Sequence, residues 1–371
     1  MDLRSFFYSR QWRLRQKLAA FRFGGTGPPT NSPLPTGFAP GKVLFVLAGL
    51  IGDSVMSMSA IAAAREILPE ATFVVLGKRV NRELLGESGL DVEFYEFEND
   101  PFSLRHRGQV KKLQQWLTNQ RFDLAIILLG DQFAPLLARA EIPVRVGVAG
   151  TLLENCLTHT YEIGSPRTWG TNDRLNALRC LGYIINDRLP QISVDHSASL
   201  SARKRLKDLG WAEEDYIVLH PFGSTRRQWW NLEAAVKLSE TVKKKHRLST
   251  VLVGGPEARG SINSESLDHA IDATGMLSLA ELLAVVADAK IVVTTDSGPY
   301  HIAGALAKPI VGLFRARRPE HAGAYPNTNV ILGQNNECTG SCDWDRCETL
   351  PCRQMEQITV AEVLAAIEVR L

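Results

Sequence analysis

The apolar residues of this chain gather into short continuous runs separated by stretches of helical period, and the alternation begins at residue 42. Lys42-Val43-Leu44-Phe45-Val46-Leu47-Ala48 is apolar almost throughout and rich in β-formers, as a strand buried on both faces of a parallel sheet must be. A turn, Gly49-Leu50-Ile51-Gly52-Asp53, follows, then helical sequence from Ser54 to Leu68, a stop at Pro69 and a strand from Thr72 to Leu76. This is βαβ grammar. It continues with an amphipathic helix from Leu104 to Asn119, a strand from Asp123 to Leu129, a short helix around Leu136, a strand from Val144 to Val148 and helical residues from Asn172 to Leu181. After a less regular stretch from Ile184 to Ala198, a second series follows. Its helices are Leu200 to Leu209, Leu232 to Lys245, Leu279 to Ala287, Pro299 to Ala307 and Val360 to Val369. Its strands are Tyr216 to His220, Thr250 to Gly254, Ile291 to Thr295 and Ile310 to Leu313. The pattern predicts two Rossmann-like α/β domains, residues 41–195 and 196–371, without a solenoid-type repeat.

Length and composition agree with this picture and narrow the setting. A chain of 371 residues is too long for one ordinary core and fits about two domains. No apolar run approaches the roughly 20 residues that span a bilayer. With 42 basic against 40 acidic residues, no global field draws in nucleic acid, and no nucleic-acid partner is expected. The N-terminus lacks the apolar stretch and cleavage site of a secretory signal, and six cysteines suit a reducing compartment, so a cytoplasmic protein is expected.

Residues 1–40 stand apart. Residues 1–24 carry Arg4, Arg10, Arg13, Arg15, Lys17 and Arg22 against Asp2, interleaved with Phe6, Phe7, Tyr8, Trp12, Phe21 and Phe23. Two readings of this basic, aromatic helix stay open. It could anchor the protein peripherally on anionic lipid at the inner face of the membrane, each basic residue contributing about 1 kcal/mol. It could equally dock on the protein itself or on another subunit. The stretch from Gly24 to Gly41, with Pro28, Pro29, Pro33, Pro35 and Pro40, reads as a linker.

Ligands of open α/β sheets sit beyond the carboxyl ends of the strands, so candidate chemistry is sought where strand gives way to helix. Asp296-Ser297-Gly298-Pro299-Tyr300-His301 follows one strand. Proline in a first helical turn loses no hydrogen bond, and the free N–H groups there attract phosphate oxygens; the alternative is a plain N-cap by Ser297 or Asp296. A second strand end, His220-Pro221-Phe222-Gly223-Ser224-Thr225-Arg226-Arg227, offers hydroxyls and two guanidiniums suited to a diphosphate, or else is a solvated basic loop. Trp229 and Trp230 are expected to pack rather than stack on a base. A third strand end holds Gly52 and Asp53. Asp53 is placed to act as a general base, or merely favours the helix start. The chain has no G-x-x-x-x-G-K-[ST] and no G-x-G-x-x-G, which argues against a P-loop nucleotidase and a dinucleotide dehydrogenase. Asp-Ser-Gly in place of paired carboxylates gives no Mg²⁺ motif, so metal-independent transfer is expected, with no cofactor required for catalysis.

Together these pieces resemble glycosyltransferase family 9, the ADP-heptose lipopolysaccharide heptosyltransferase family, from about Gly41 to Ile367. The most specific stretch is Asp272-Ala273-Thr274-Gly275, Leu279 to Leu282, and Thr295-Asp296-Ser297-Gly298-Pro299-Tyr300-His301-Ile302-Ala303. The opening Gly52-Asp53 and Leu68-Pro69-Glu70-Ala71 look similar too. The resemblance implies a GT-B fold, two Rossmann-like domains facing across a cleft with the acceptor on the N-terminal side and the nucleotide sugar on the C-terminal side. It also implies inversion by direct displacement, an ADP-linked heptose donor and a cell-envelope glycan or lipid-linked acceptor. Residue by residue, Asp53 matches the catalytic base, with Gly52 beside it on the acceptor side. Asp296, Ser297 and Gly298, with His301 following, match the diphosphate loop, and Ser224 and Thr225 the hydroxyl-bearing phosphate loop beside Arg226 and Arg227. Glu257 matches the ribose ligand and Met276 a neighbour of the base. Three departures bear on sugar and acceptor: Arg226-Arg227-Gln228 where the family usually has a lysine before the tryptophan, Ser59 where proline is common, and Tyr300 in place of a smaller residue. Two rivals are a sugar-nucleotide epimerase of the same fold and a non-catalytic binding or assembly subunit.

Cys338, Cys342, Cys347 and Cys352 fall at C-x₃-C-x₄-C-x₄-C within the loop 338–352. Four thiolates this close could hold a structural Zn²⁺ or iron, as the iron-bound finger of some similar protein-modifying heptosyltransferases does; free thiols or disulfides are the alternatives. Elemental analysis of the purified protein decides between them. About one Zn or Fe per chain is the outcome of the metal reading, and neither element removes it.

Overall fold

The computed structural model describes residues 27–35, 37–97, 107–163, 170–263, 267, 269–315, 325–333 and 350–371. It divides into two compact units, one ending at Pro190 and the other beginning at Gln191, where the sequence suggested 195/196. The basic segment 1–24 and three of the four clustered cysteines, Cys338, Cys342 and Cys347, lie outside the described residues. Cys352 is described and buried.

The first unit runs β1 (Lys42–Leu47), α1 (Ile51–Ile67), β2 (Thr72–Gly77), α2 (Arg79–Gly86), β3 (Glu93–Glu96), α3 (Arg107–Gln120), β4 (Leu124–Leu129), α4 (Ala134–Arg139), β5 (Val144–Val148), β6 (His159–Tyr161), α5 (Gly170–Asp173) and α6 (Asn176–Arg179). The second runs α7 (His196–Asp208), β7 (Tyr216–His220), α8 (Leu232–His246), β8 (Ser249–Leu252), β9 (Ala270–Asp272), α9 (Leu279–Asp288), β10 (Val292–Thr295), α10 (Gly298–Ala305), β11 (Ile310–Phe314), β12 (Thr328–Leu332), α11 (Arg353–Glu356) and α12 (Val360–Glu368). The strand orders are β3-β2-β1-β4-β5-β6 and β12-β11-β10-β7-β8-β9, with parallel pairing throughout. The second order is the first with β7 to β12 in place of β1 to β6. Each chain starts in mid-sheet, works out to one edge and crosses back, so the order reverses between β1 and β4, and again between β7 and β10. At such a reversal the flanking loops diverge and open a crevice beyond the strands' carboxyl ends.

The central strands are apolar because helices cover both their faces. Val43, Leu44, Phe45, Val46 and Leu47 are all fully buried, as are Ile217, Val218, Val292 and Val293. Helices start on matching signals: Asp195, Asn231, Ser278 and Thr359 each accept a hydrogen bond from a first-turn N–H of α7, α8, α9 and α12, satisfying donors that the helix leaves open.

Three expectations need correction. Helix α1 begins at Ile51, not after Asp53, so Gly52 and Asp53 lie inside its first turn. The proline-rich stretch is no free linker where it is described. The Asn31 N–H donates to the Thr158 carbonyl at 3.2 Å, Asn31 Oδ1 accepts from the Thr160 N–H at 2.8 Å, and His159 Nε2 lies 2.8 Å from the Ser32 carbonyl. It therefore covers the outer edge of β6, which would otherwise be open to further pairing. Finally, β3, β6, β9 and β12 were not anticipated, nor were α2 and α11.

Helix α10 packs against Tyr325 through Gly304, where a Cβ would fall 2.3 Å from the ring. Gly304→Ala is expected to lower stability by about 1–3 kcal/mol, the usual cost of overpacking, read as a lower urea midpoint. An unchanged midpoint would show that the ring yields freely.

Candidate functional site

Each strand-order reversal gathers polar groups. In the first unit, β1 ends in a turn with no room for side chains: a Cβ on Gly49 would meet Asp53 Cβ at 2.7 Å and Leu129 Cδ2 at 2.8 Å. The turn is braced by Asn81, fully buried at the start of α2, whose Nδ2 donates to Ser54 Oγ at 2.6 Å and the Gly49 carbonyl at 3.3 Å. Asp53 is thereby held in the first turn of α1 with its side chain 34% exposed. Oδ2 accepts a long 3.4 Å bond from the Leu50 N–H, and Oδ1 lies 4.0 Å from Arg174 Nη2. A carboxylate so loosely engaged keeps lone pairs for a proton.

Arg174 is buried and also hydrogen-bonds the Tyr161 hydroxyl, whose pKa burial pushes up to about 12. The Asp131 carboxyl, beyond β4, is raised by burial and partly offset by Arg174. Sequence reading overlooked Asn81, Asp131 and Arg174. Only the position of Asp131 directly after a strand could have signalled it.

In the second unit the loops after β7 and β10 are tied together. His220 Nδ1 lies 3.1 Å from Ser297 Oγ, Thr295 Oγ1 donates to the Phe222 carbonyl, and Gln228 Nε2 donates to the Asp296 carbonyl at 3.0 Å. Ser297 occupies the N-cap position of α10 but makes no side-chain cap. Its hydroxyl turns instead to His220 and to the Thr295 carbonyl at 3.0 Å, so the plain-cap alternative is not what the hydroxyl does. Asp296, Ser297 and Gly298 are partly exposed, and the positive end of the helix dipole is directed out of its N-terminus.

The two arginines differ. Arg226 is exposed with its guanidinium 3.7 Å from the centroid of the Trp229 ring, whereas Arg227 is buried. Both tryptophans pack: Trp230 Nε1 donates to the Ile358 carbonyl at 2.9 Å, and Trp229 meets Phe222 edge-on. His301 lies within α10, buried, with Nδ1 3.1 Å from the Tyr325 hydroxyl. Glu257 and Met276 sit on adjacent loops, after β8 and β9. Gly275, at φ +65°, joins those loops: its N–H donates to the Gly254 carbonyl at 2.8 Å, and a Cβ there would meet Pro256 Cα at 3.0 Å. Among the described residues no cluster of three or more His, Cys, Asp or Glu side chains could hold a metal, and no helix is long and apolar enough to cross a membrane.

The family model described as Glycosyltransferase family 9 (heptosyltransferase) matches residues 110–349, more than half of the chain. The chain belongs to glycosyltransferase family 9. This family member is 23% identical to lipopolysaccharide heptosyltransferase 1 of Pseudomonas aeruginosa over 311 residues, covering 80% of this chain and 85% of that protein. The family 9 glycosyl transferase of Veillonella parvula superposes with a TM-score of 0.77 at 17% identity, over 88% of this chain and 96% of that one. The E. coli ADP-heptose LPS heptosyltransferase II superposes with a TM-score of 0.72 at 20% identity, over 88% and 98%. The fold of this glycosyltransferase is therefore GT-B, two Rossmann-like units in one chain.

His220 and His301 of the glycosyltransferase are both depressed by burial from 6.5 to about 4. Each is neutral when folded but takes up a proton when unfolded below about pH 6.5, so their contribution is intact above that pH and lost as pH falls toward 4. Urea midpoints are expected to be level between pH 7 and 8 and to decline between pH 6.5 and 4, less steeply in a His301→Gln variant. An identical decline in that variant would show that the histidine does not contribute.

Proposed function

We propose that this glycosyltransferase moves a heptose from an ADP-linked donor to a hydroxyl of a lipopolysaccharide-type, cell-envelope glycan acceptor, inverting the anomeric centre. The observation that carries the reading is the second unit's strand-order reversal. There a helix start whose N-cap residue, Ser297, makes no side-chain cap, with Ser297 and Gly298 partly exposed, lies beside Ser224, Thr225 and the exposed Arg226, on loops tied directly to it. Such a place suits a diphosphate, because backbone N–H groups, hydroxyls and a guanidinium all donate to phosphate oxygens. The sugar and nucleotide come from the relatives' names, a lipopolysaccharide heptosyltransferase and an ADP-heptose heptosyltransferase.

In this reading Asp53 accepts the proton of the acceptor hydroxyl as its oxygen attacks the anomeric carbon. The bond from that carbon to the diphosphate breaks, and ADP leaves with the electron pair. Ser224, Thr225, Arg226, Asp296, Ser297 and Gly298 surround the leaving diphosphate and offset its growing charge through N–H, hydroxyl and guanidinium groups, without a catalytic metal. Arg227 and His301 belong to the same donor-binding segments, both buried, His301 with Nδ1 3.1 Å from the Tyr325 hydroxyl. Glu257 receives the ribose hydroxyls and Met276 the edge of the base. Gly52 leaves the acceptor an approach to Asp53. The setting proposed is the cytoplasmic face of the membrane, reached through residues 1–24, with the Cys338, Cys342, Cys347 and Cys352 loop in a structural role only.

Asp53→Asn is expected to lower kcat by about 10²–10⁴-fold, the usual contribution of a general base, while leaving the calorimetric affinity for ADP within about twofold of wild type. Full activity in the variant would discard Asp53 as the base. Wild type that binds no ADP would discard the donor assignment, and donor epimerised without any acceptor would favour the epimerase reading.

A further inference from the structure

The side chain of Gln228 ties together the two loops of the second unit that the donor reading places around the diphosphate. It closes the short 3₁₀ turn Arg226–Gln228 and is buried, 7% exposed. Its amide spans both loops. Oε1 accepts from Ser224 Oγ at 2.8 Å and from the Thr225 N–H at 3.2 Å, and Nε2 donates to the Asp296 carbonyl at 3.0 Å. The amide can face only one way, since the Thr225 N–H must meet an oxygen and the Asp296 carbonyl must meet an N–H. The backbone is shaped to admit it: a Cβ on Gly223 would fall 2.5 Å from Gln228 Cβ.

These three bonds join the Ser224 hydroxyl, the backbone before Arg226 and the residue that precedes Ser297. All belong to groups placed around the donor diphosphate above, yet Gln228 is packed beneath them with both amide atoms engaged. We infer that Gln228 is a positioning residue, a neutral strut that fixes the spacing of the two phosphate-holding loops. The inference rests on the donor reading given under the proposed function. A neutral amide is the group suited to this place. A carboxylate could not donate to the Asp296 carbonyl, and an ammonium could not accept from Ser224 and Thr225. The positive charge of the loop is then carried by Arg226 and Arg227, of which Arg226 is the exposed one. Spacing matters because groups aimed at a leaving diphosphate lose their effect when displaced by about 1 Å.

The test uses the full chain and three ligands, adenosine, AMP and ADP, titrated calorimetrically into wild type, Gln228→Leu and Gln228→Glu. The leucine variant removes all three bonds. The glutamate variant keeps the volume and the acceptor side, loses the donation to Asp296 and adds a charge facing the anion. Wild type should prefer ADP to adenosine. Both variants should weaken ADP about ten- to a hundredfold and change adenosine by less than about threefold, with near-UV circular dichroism like that of wild type. In turnover, kcat should fall as KM for the donor rises, because the same loops hold substrate and leaving group. Equal ADP preference in all three proteins would overturn the inference while leaving the donor site intact. Proportional loss of adenosine and ADP would overturn it too, as the mark of general loosening. Wild type without a preference for ADP would overturn both the donor reading and the strut that depends on it.

Discussion

The second unit is organised by the pairing of β7 with β10, the two strands at which the order reverses. Val292, Val293 and Thr294 run in register with Val218, Leu219 and His220, so both strands deliver their next residues to the same edge side by side. The chain then diverges toward Trp229 on one side and into α10 on the other. Strands only about 4.8 Å apart hold the loops close, and the divergence leaves their tips apart. Without cross-links that geometry would leave backbone polar groups idle at a sheet end, a costly condition when buried. The molecule meets the demand with side chains: Thr295 to the Phe222 carbonyl, His220 to Ser297, and Gln228 to the Asp296 carbonyl. The ties that satisfy these groups also set the positions of the donors around any anion held there.

The first unit solves the same problem differently. Its reversal pairs β1 with β4, and the Ala48 N–H donates across it to the Leu129 carbonyl at 3.0 Å. Here the turn is kept tight by missing side chains, Gly49 and Gly130, the latter at φ +113° with Ala48 Cβ at 2.9 Å from where its own Cβ would lie. A tight turn brings the first turn of α1 close to the sheet end and lifts one carboxylate, Asp53, to the surface. Arg174 Nη2 stands 4.0 Å away, too far to occupy the carboxylate with a short hydrogen bond. One reversal carries an array of donors, and the other carries two partly exposed carboxylates, Asp53 and Asp131. The proposed division of labour, proton removal at one and anion stabilisation at the other, draws on that difference.

Much of this was legible because central parallel strands must be apolar on both faces. Every strand next to a reversal, β1, β4, β7 and β10, showed as a continuous apolar run. The four strands that escaped notice, β3, β6, β9 and β12, are the four sheet edges. Glu93-Phe94-Tyr95-Glu96, His159-Thr160-Tyr161 and Ala270-Ile271-Asp272 are short and half-covered, so they carry neither an apolar run nor enough length for alternation to register. At the candidate sites the same rule singles out Asp53, Ser224 and Ser297, on loops that follow central strands, but Asp131, just past β4, shows that it is not sufficient. Asn81 and Arg174, which act from distant points of the sequence, were missed, because nothing local marks a side chain that reaches across space.

Neighbouring residues of equal charge need not share an environment. Arg226 and Arg227 are sequence neighbours of equal charge, yet one is exposed against Trp229 and the other is buried. Stacking a guanidinium on an indole face shields its plane and leaves its edge, with the N–H donors, directed outward. Lysine could share the cation–π contact but has no planar edge with which to present several donors at once. The neighbouring Trp229 is in turn anchored, its Nε1 donating to the Gly223 carbonyl at 3.1 Å, the residue that makes room for Gln228. Charge, stacking surface and strut are thus seated on one another within seven residues, Gly223 to Trp229. A change to any of them moves the cation relative to the helix start across the crevice.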